Sequence, residues 1–340
     1  MVQGPYFRDI EGQPKALQDT FAVLHESAPL KVLGESLRAK QGSVILTGMG
    51  ASMAALVPLQ GKLFAAGVTP VMIETSELIH HARGLLRPGV PVVAVSQSGR
   101  SAETVALLDT LPRDVVVIGV TNDATSPLAV RAHHALITDA GVEATVSCKT
   151  YVSALLMLDW LGAQLVGEDL EAVKSELAQA PGLVGSYLSH LSQHVQALSE
   201  SLADTALIYF AGRGSSLAAA YTAGLITKEA VHFPAEGLSS AAFRHGPLEM
   251  VGADVFLVVF EGAGTADLNA ILVHDVFARG GRSALCGVNG VGPFGLPPAP
   301  ARLMPMLEIL VAQLVTLALA ARSGREAGRF SHATKVTSVQ

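Results

Sequence analysis

An internal repeat, a strand followed by a glycine turn, constrains this fold more than any other feature of the sequence. The segment SVILTGMGAS at Ser43–Ser52 has a counterpart, ALIYFAGRGSS, at Ala206–Ser216. Two further pairs of apolar segments follow in the same order, Pro91–Val95 with Val255–Val259 and Val116–Val120 with Ala284–Val288. In both copies a short apolar strand leads into a turn and then a helix, which predicts parallel strands with right-handed crossovers. The sequence therefore predicts an α/β protein with two doubly wound parallel sheets flanked by helices.

The composition agrees with two sheets buried on both faces. Of the 340 residues, 50% are hydrophobic and only 15% are charged, against roughly 25% charged in an average soluble domain. Aromatic residues make up 5% and the mean hydropathy is +0.42, so the apolar mass is small and aliphatic, as in strands covered by helices. A disordered chain and a charge-laced coiled coil are excluded. The length predicts about two domains.

Charge and cysteine content exclude two classes of partner. The net charge is −6 and there is no basic run, so no nucleic-acid partner is predicted. The two cysteines, Cys148 and Cys286, lie far apart in apolar surroundings and form no CxxC pair. We interpret them as small core residues, with no disulfide framework and no zinc site.

The sequence also predicts a cytoplasmic protein without a membrane span. Met1–Gln13 carries three charged residues and no apolar core of a signal peptide. Leu303–Ala321 is nearly long and apolar enough to cross a bilayer, but it contains Glu308 and Gln313, and a carboxylate is costly in lipid. We interpret it as a helix buried between a sheet and another subunit. Together with the apolar run Tyr151–Val166 it exceeds what two sheets need to cover, which predicts a subunit interface.

Composition shifts along the chain predict five segments. The stretch near residues 167–203 is polar, has a helical period and contains a Pro181-Gly182 break. The predicted segments are N-terminal helices over 1–34, a first sheet domain over 35–167, a helical linker over 168–203, a second sheet domain over 204–330 and a C-terminal tail over 331–340.

A serine-rich loop is the sharpest candidate for a ligand site. The residues SQSGRS at Ser96–Ser101 follow one predicted strand and precede a helix that starts near Ala102. Ligands of open parallel sheets bind at the carboxyl ends of strands, beside helix N-termini. Three hydroxyls and a glycine there suit a phosphate, and Ser52 after the neighbouring strand adds a fourth hydroxyl.

An alternative is that Ser101 only caps the helix and the other serines are turn residues. The second copy has FEGAG at Phe260–Gly264 in the equivalent place, so the fold itself does not require serines there. Neither GxGxxG with a following acidic residue nor GxxxxGK[ST] occurs, which disfavours a nucleotide ligand.

These motifs resemble those of the sugar isomerase (SIS) domain family. SQSGRSAET at Ser96–Thr104 looks like the phosphate loop of that family. Five other segments are similar, in order, to the isomerase half of glucosamine-6-phosphate synthases: Asp9–Pro14, Gly212–Ser216, Lys228-Glu229, Arg244–Leu248 and Ala333–Gln340. The resemblance implies two tandem SIS domains, each a flavodoxin- or Rossmann-like doubly wound sheet, and a likeness to SIS-type glucosamine-6-phosphate deaminases.

The resemblance also implies roles for individual residues. Glu229 would move the proton between C1 and C2, His245 would assist ring opening from the partner subunit or its own, and Lys335 would reach the open-chain carbonyl. The residues implied to hold the sugar phosphate are Ser52, Ser96, Gln97, Ser98 and Ser101. Further candidates for the pocket are Gly50, Ala51, Glu143, Ser147 and His332. The resemblance implies a homodimer, and it implies neither a cofactor nor a metal.

Each catalytic candidate has a plainer interpretation that remains open. Glu229 beside Lys228 could form a solvated ion pair, and His245 before Gly-Pro could be a structural turn residue. Lys335 near the terminus could be an ordinary surface lysine. The pair His190 and His194, at i and i+4, shows no third ligand, so no metal site is predicted there.

Two departures from the family pattern shape the functional expectation. Ile226 stands where the synthases have a lysine, and no glutaminase region precedes the isomerase-like part. We therefore expect a phosphosugar isomerase and deaminase that converts glucosamine 6-phosphate to fructose 6-phosphate and ammonia without glutamine. The alternatives are a non-deaminating aldose/ketose phosphate isomerase, a sugar-amine deglycase, and a non-catalytic module that senses a sugar phosphate.

Overall fold

The computed structural model describes residues 4–332 and 334–337. Part of the predicted tail motif, Ala333 and Ser338–Gln340, lies outside the described residues, as does Met1–Gln3 of the predicted N-terminal segment.

The described residues form nine strands and sixteen α-helices. The strands are β1 (Ser43–Gly48), β2 (Thr69–Glu74), β3 (Val92–Val95), β4 (Val117–Thr121), β5 (His134–Ile137), β6 (Leu207–Gly212), β7 (Ala235–Ser239), β8 (Val255–Phe260) and β9 (Arg282–Cys286). The helices are α1 (Pro5–Glu11), α2 (Gln13–Ala22), α3 (Ala28–Ala39), α4 (Gly50–Ala55), α5 (Val57–Ala65), α6 (Thr75–His80), α7 (Ala102–Thr110), α8 (Pro127–Arg131), α9 (Lys149–Val166), α10 (Leu170–Leu177), α11 (Ala180–Leu188), α12 (Leu191–Ser201), α13 (Leu217–Val231), α14 (Ser240–Phe243), α15 (Ala266–Ala278) and α16 (Met304–Ser323).

The chain divides into two compact units, each with one sheet. The sheet-1 unit comprises Lys15–Val142, Lys149–Gln179 and residues 334–337 of the C-terminal tail. The sheet-2 unit comprises the N-terminal residues up to Pro14, Glu143–Cys148 and Ala180–His332. The predicted segment boundaries remain predictions.

The sheet-1 unit contains a five-stranded parallel sheet in the order β2-β1-β3-β4-β5. Every residue of β3 and β4 is buried, because parallel strands carry helices on both faces and therefore need apolar side chains throughout. Helix α9 packs against α3, α5 and α10, and nearly all of its residues are buried.

The sheet-2 unit repeats this topology with four parallel strands in the order β7-β6-β8-β9. Helix α16 packs against α11, α12 and α13, and Gly324 ends it in a left-handed conformation (φ +65°). Residues Ala301–Ser323 are long and apolar enough to cross a membrane by length and composition, but their most apolar window is entirely buried within this structure.

The α/β class and the two parallel sheets predicted from the repeat are confirmed. Two details differ from expectation. The apolar faces of α9 and α16 were expected to exceed what the sheets can cover and to form a subunit interface, but helices of the same unit cover each of them. The predicted break falls at residues 178–179, between α10 and α11, and Pro181 and Gly182 lie in the first turn of α11, where proline needs no hydrogen-bond donor.

Both cysteines are buried and free, as expected for core residues.

Candidate functional site

The order of strands in sheet 1 places two loops of the predicted site at the same edge. The chain leaves β1 towards β2 on one side and returns to β3 on the other, and Gly48 lies opposite Val95 in the register. Ser52 in α4 follows β1, and Ser96–Ser101 follows β3. Ligands of doubly wound sheets bind at such a switch point, at the carboxyl ends of the strands.

The serine loop is held in a tight conformation by its own hydroxyls. Ser96 Oγ accepts a hydrogen bond from Gly99 N at 3.2 Å, and Ser98 Oγ accepts one from Arg100 N at 3.2 Å. The Gln97 carbonyl accepts hydrogen bonds from Asn122 N at 3.0 Å and Thr121 Oγ1 at 3.2 Å. The loop is therefore fixed to the end of β4 before any ligand binds.

Gly99 is required at the centre of this loop. Its φ of +61° lies in the left-handed region, and a β-carbon at this position would overlap the Ser126 hydroxyl. Only glycine meets both conditions without strain. The glycine of the motif thus serves backbone geometry, while the serines present the polar groups.

Ser101 caps helix α7, as the plainer interpretation predicted. Its Oγ accepts a hydrogen bond from Thr104 N at 3.3 Å and lies 2.8 Å from Thr104 Oγ1. A hydroxyl has one donor and two acceptor positions, so the cap leaves capacity for a ligand. Capping and ligand binding are compatible at this residue.

An ion pair joins Arg100 of the serine loop to Asp123, which follows β4. Arg100 Nη2 lies 2.7 Å from Asp123 Oδ2, and both side chains are exposed. Hydrogen bonds from Thr125 first, and then from Arg100, lower the pKa of Asp123 to about 2. Asp123 is therefore ionised at neutral pH and balances the charge of Arg100.

The C-terminal tail meets the serine loop within the sheet-1 unit. The Thr337 carbonyl accepts a hydrogen bond from Ala102 N, at the first position of α7, at 3.1 Å. Thr334 Oγ1 donates to the Val336 carbonyl at 2.8 Å, and Lys335 between them is half-buried. The structure thus brings the predicted phosphate loop and the segment that carries Lys335 to the same helix N-terminus.

In the sheet-2 unit, Glu229 lies in the last turn of α13. It is half-buried, whereas Ile226 one turn earlier is fully buried among apolar side chains. Burial raises the pKa of Tyr6 well above its usual value, and the nearby Cys148, Glu143 and Glu229 raise it further. Tyr6 is therefore neutral at physiological pH and lies within electrostatic range of the Glu229 carboxyl.

The other predicted site residues of this unit differ in exposure. Glu143 is 6% exposed, and its Oε1 accepts a hydrogen bond from Cys148 N at 2.9 Å. His245 follows α14, and its ring is exposed. Ser147 is half-buried and His332 is exposed. In the sheet-1 unit, Ala51 is half-buried and Gly50 is exposed.

At the carboxyl ends of the strands of sheet 2, side chains of the same unit hydrogen-bond to one another. These contacts were not predicted from the sequence. Ser216 Oγ, after β6, donates to Glu308 Oε1 at 2.7 Å. Glu261, directly after β8, accepts a hydrogen bond from Asn289 N at 3.1 Å and another from the Asn289 side chain. The signal in the sequence was Glu308, an acidic residue in an apolar helix. Its hydrogen-bond partner, Ser216, lies far away in the sequence and was not evident.

Burial also changes the pKa of one carboxyl at this end of sheet 2, that of Glu308. Burial, with the nearby Glu261 carboxyl, raises the pKa of Glu308 to about 7 despite the hydrogen bond from Ser216. The carboxyl also interacts with the backbone of Gly262, which opposes this rise.

The described part of the chain contains no group of three or more histidine, cysteine and acidic side chains arranged to hold a metal ion. The rings of His190 and His194 stack at 5.9 Å, and Tyr187 covers His194 at 4.5 Å. This histidine pair is thus part of a stacked aromatic group.

Comparison with known sequences gives a family and distant relatives. Residues 37–163 match the family described as the SIS domain. The chain is 30% identical over 346 residues to the glutamine–fructose-6-phosphate aminotransferase [isomerizing] of Pyrococcus horikoshii, covering 98% of this chain and 57% of that protein. It is 29% identical to the protein of the same name from Thermococcus kodakarensis, covering 99% of this chain and 58% of the relative. The chain thus spans little more than half the length of these relatives.

Solved structures share the fold. The C-terminal domain of glucosamine-fructose-6-phosphate aminotransferase from Francisella tularensis superposes with a TM-score of 0.85 at 24% identity, covering 96% of this chain and 98% of that one. Glucosamine-6-phosphate deaminase from Thermotoga maritima gives a TM-score of 0.80 at 18% identity, covering 99% and 100%. At these identities the likeness concerns the fold alone.

The matched residues contain all of sheet 1, from the end of α3 into α9, together with the serine loop. That sheet 2 forms a second domain of the same family remains a prediction from the sequence repeat and the family resemblance. The family match therefore covers residues 37–163, which are similar to the SIS domain.

Proposed function

We propose that this chain is a phosphosugar isomerase that deaminates its substrate, converting glucosamine 6-phosphate and water to fructose 6-phosphate and ammonia. The observation that carries the proposal is the meeting of the serine loop and the lysine-bearing tail at the N-terminus of α7, through the 3.1 Å hydrogen bond from Ala102 N to the Thr337 carbonyl. A phosphate site beside a primary amine suits a substrate with a phosphate at one end and a carbonyl at the other.

The phosphate would be held without metal or nucleotide chemistry. Ser96, Ser98 and Ser101 present hydroxyls around Gly99 at the start of a helix, where the helix dipole favours an anion. Ser52 and Gln97 would complete the contacts from the neighbouring strand end. Because the loop is already fixed to β4, binding costs little ordering of the backbone.

The reacting carbons would be served by Glu229, Lys335 and His245. The Glu229 carboxylate takes the proton from C2 of the open-chain sugar and returns it to C1. The carbonyl oxygen gains a proton and becomes the C1 hydroxyl, while the C2 amine loses one, which leaves a C2 ketimine. The Lys335 ammonium stabilises negative charge that develops on the carbonyl oxygen, and His245 protonates the ring oxygen when the ring opens. Water then adds to the ketimine and ammonia leaves, so atoms and charge balance.

The amino sugar is favoured over a plain sugar by the relatives. The proteins matched over nearly all of this chain are named as aminotransferases of fructose 6-phosphate, and deamination runs the same proton transfer in the opposite direction. Ile226, which is fully buried, removes the lysine of the synthase pattern, so the electrostatic surroundings of Glu229 differ from the pattern.

Direct assay tests the proposal. The purified chain is mixed with glucosamine 6-phosphate in the absence of glutamine, and ammonia and fructose 6-phosphate are measured together. We expect both products in equal amounts. Turnover of glucose 6-phosphate with no ammonia from the amino sugar would instead identify a non-deaminating isomerase, and ammonia from a sugar–amine adduct alone would identify a deglycase.

Replacing Lys335 by alanine separates an enzyme from a sugar-phosphate sensor. For an enzyme, Lys335→Ala should lower kcat by about 100-fold or more while KM changes little, since the lost interaction forms mainly in the transition state. Lys40→Ala, at an exposed position after α3, is the matched control and should keep full activity. A wild-type chain that binds the sugar phosphate but never turns it over would refute catalysis and favour a sensor.

A further inference from the structure

The segment between α16 and the tail is tied to the end of α13 by two contacts. We call residues 325–330 the strap. Gly328 N donates to the Ala230 carbonyl at 2.8 Å, and Arg325 Nη1 lies 3.2 Å from His232 Nδ1. Ala230 and His232 flank the C-terminal end of α13, directly after Glu229. The strap is therefore held at the helix end that carries the proposed base.

Gly328 allows this contact where no other residue would. Its φ is +80°, and a β-carbon at this position would lie 2.6 Å from Tyr6 Cβ and 2.8 Å from Thr145 Oγ1. Tyr6 is fully buried in α1, so its β-carbon cannot move aside as the tip of a long side chain could. A side chain at position 328 would push the strap away from α13 and break the hydrogen bond to Ala230.

We propose that Gly328 is a positioning residue that clamps the strap to the end of α13 and so fixes where the Lys335 segment begins. Only residues 329–334 separate it from Lys335, which limits how far the amine can move while the clamp holds. The positioning role of Gly328 rests on the proposed function of Lys335 and Glu229, whereas its contact with the end of α13 does not depend on that function.

Gly324 provides a matched control. It also has a positive φ, +65°, but a β-carbon there would meet no atom within 4 Å. Gly324→Ala therefore introduces the backbone strain of a left-handed alanine without a collision. Gly328→Asn tests the converse, since asparagine tolerates a positive φ but has the same β-carbon. Both variants of Gly328 should behave alike, and unlike Gly324→Ala.

Limited trypsin digestion measures the clamp without any assay of activity. Arg329 is exposed beside the buried Gly328, and cleavage after it releases a C-terminal peptide of defined mass. We expect Gly328→Ala and Gly328→Asn to be cleaved there at least about fivefold faster than wild type, because cleavage follows local opening. Circular dichroism and urea unfolding check that both variants fold. Equal cleavage of the folded Gly328→Ala and Gly324→Ala variants would overturn the clamp.

Steady-state kinetics measures how loss of the clamp affects catalysis. With the clamp lost, kcat should fall at least about tenfold while KM changes less than about twofold, as expected when the catalytic amine and not the phosphate site is displaced. Faster cleavage with an unchanged kcat would overturn the positioning role. A wild-type chain with no turnover would refute the proposed function, and the digestion would still decide the clamp.

Discussion

At the scale of single residues, the serine loop depends on one glycine as much as on its hydroxyls. Ser96 and Ser98 each accept a hydrogen bond from a backbone N–H inside the loop, and both bonds need the left-handed turn at Gly99. The polar groups that would meet a phosphate are thus oriented before it arrives, which is the preorganisation that a tight anion site requires.

Gly99→Ala should damage this loop more than the rest of the unit. An added β-carbon collides with Ser126 at a φ of +61°, so we expect a loss of about 1–3 kcal/mol in the free energy of unfolding and at least about tenfold weaker binding of a sugar phosphate. Urea unfolding and isothermal titration measure the two effects.

Gly89→Ala is the control for Gly99→Ala. Gly89 also belongs to the sheet-1 unit and has a φ of +81°, but a β-carbon there would meet no atom within 4 Å. The control should lose some stability and keep ligand affinity. If both variants bind equally well, the loop is not the phosphate site.

At the scale of secondary-structure elements, α16 is an apolar helix that contains one buried acidic residue, Glu308. All of its residues from Met304 to Ala320 are buried. The Glu308 carboxyl accepts a hydrogen bond from Ser216 Oγ and interacts with the backbone of Gly262. A carboxylate in such surroundings is costly, so the helix favours the protonated acid and the pKa of Glu308 rises from 4.5 to about 7.

Stability of the protein should therefore fall as pH rises through this range. The unfolded chain releases the Glu308 proton near pH 4.5 and the folded chain only near pH 7, so the contribution is fully present below pH 4.5 and is lost by about pH 7. The difference corresponds to at most about 3 kcal/mol. Urea unfolding between pH 4 and pH 8 should show this loss in wild type, whereas Glu308→Gln should lack it. The exposed Glu11→Gln should titrate like wild type, and a Glu308→Gln curve parallel to wild type would contradict the assignment.

At the scale of the whole molecule, two sheets of one topology differ in what their ligand edges contain. In sheet 1 the edge carries the serine loop and receives the tail. In sheet 2 the carboxylate of Glu261 is bonded to Asn289, and Ser216 is bonded to Glu308. A second phosphate at that edge would face two acidic side chains in place of hydroxyls.

We therefore expect one sugar phosphate bound per chain. Glucitol 6-phosphate, which has no carbonyl and cannot react, suits a calorimetric titration. The expected stoichiometry is one. The Ser96→Ala/Ser98→Ala double variant should abolish binding, while Ser192→Ala at an exposed position of α12 should not. Two sites per chain, or one site that survives the double variant, would contradict this division between the sheets.

The homodimer remains a prediction from the family resemblance. The apolar faces of α9 and α16 no longer support it, because helices within each unit bury them. The exposed ring of His245 is compatible with a role from either subunit.

The sequence by itself determined the α/β class, six of the nine strands that the structure describes, the serine loop and the helix that follows it; β2, β5 and β7 were not predicted. Periodic apolar runs, glycine turns and capping residues are local features, and their physical causes act over a few residues. Lys335 and Glu229 were likewise found by their motifs, although their roles remain proposals.

Only the tertiary structure decided which of these local features meet. The contact of Thr337 with Ala102, the clamp of Gly328 on α13 and the pairing of Ser216 with Glu308 each join residues far apart in sequence. Such contacts depend on packing and register, and packing also decided that α9 and α16 are covered within the chain. Burial, which a local sequence pattern does not determine, raises the pKa of Glu308 to about 7, so this carboxyl is partly protonated near neutral pH.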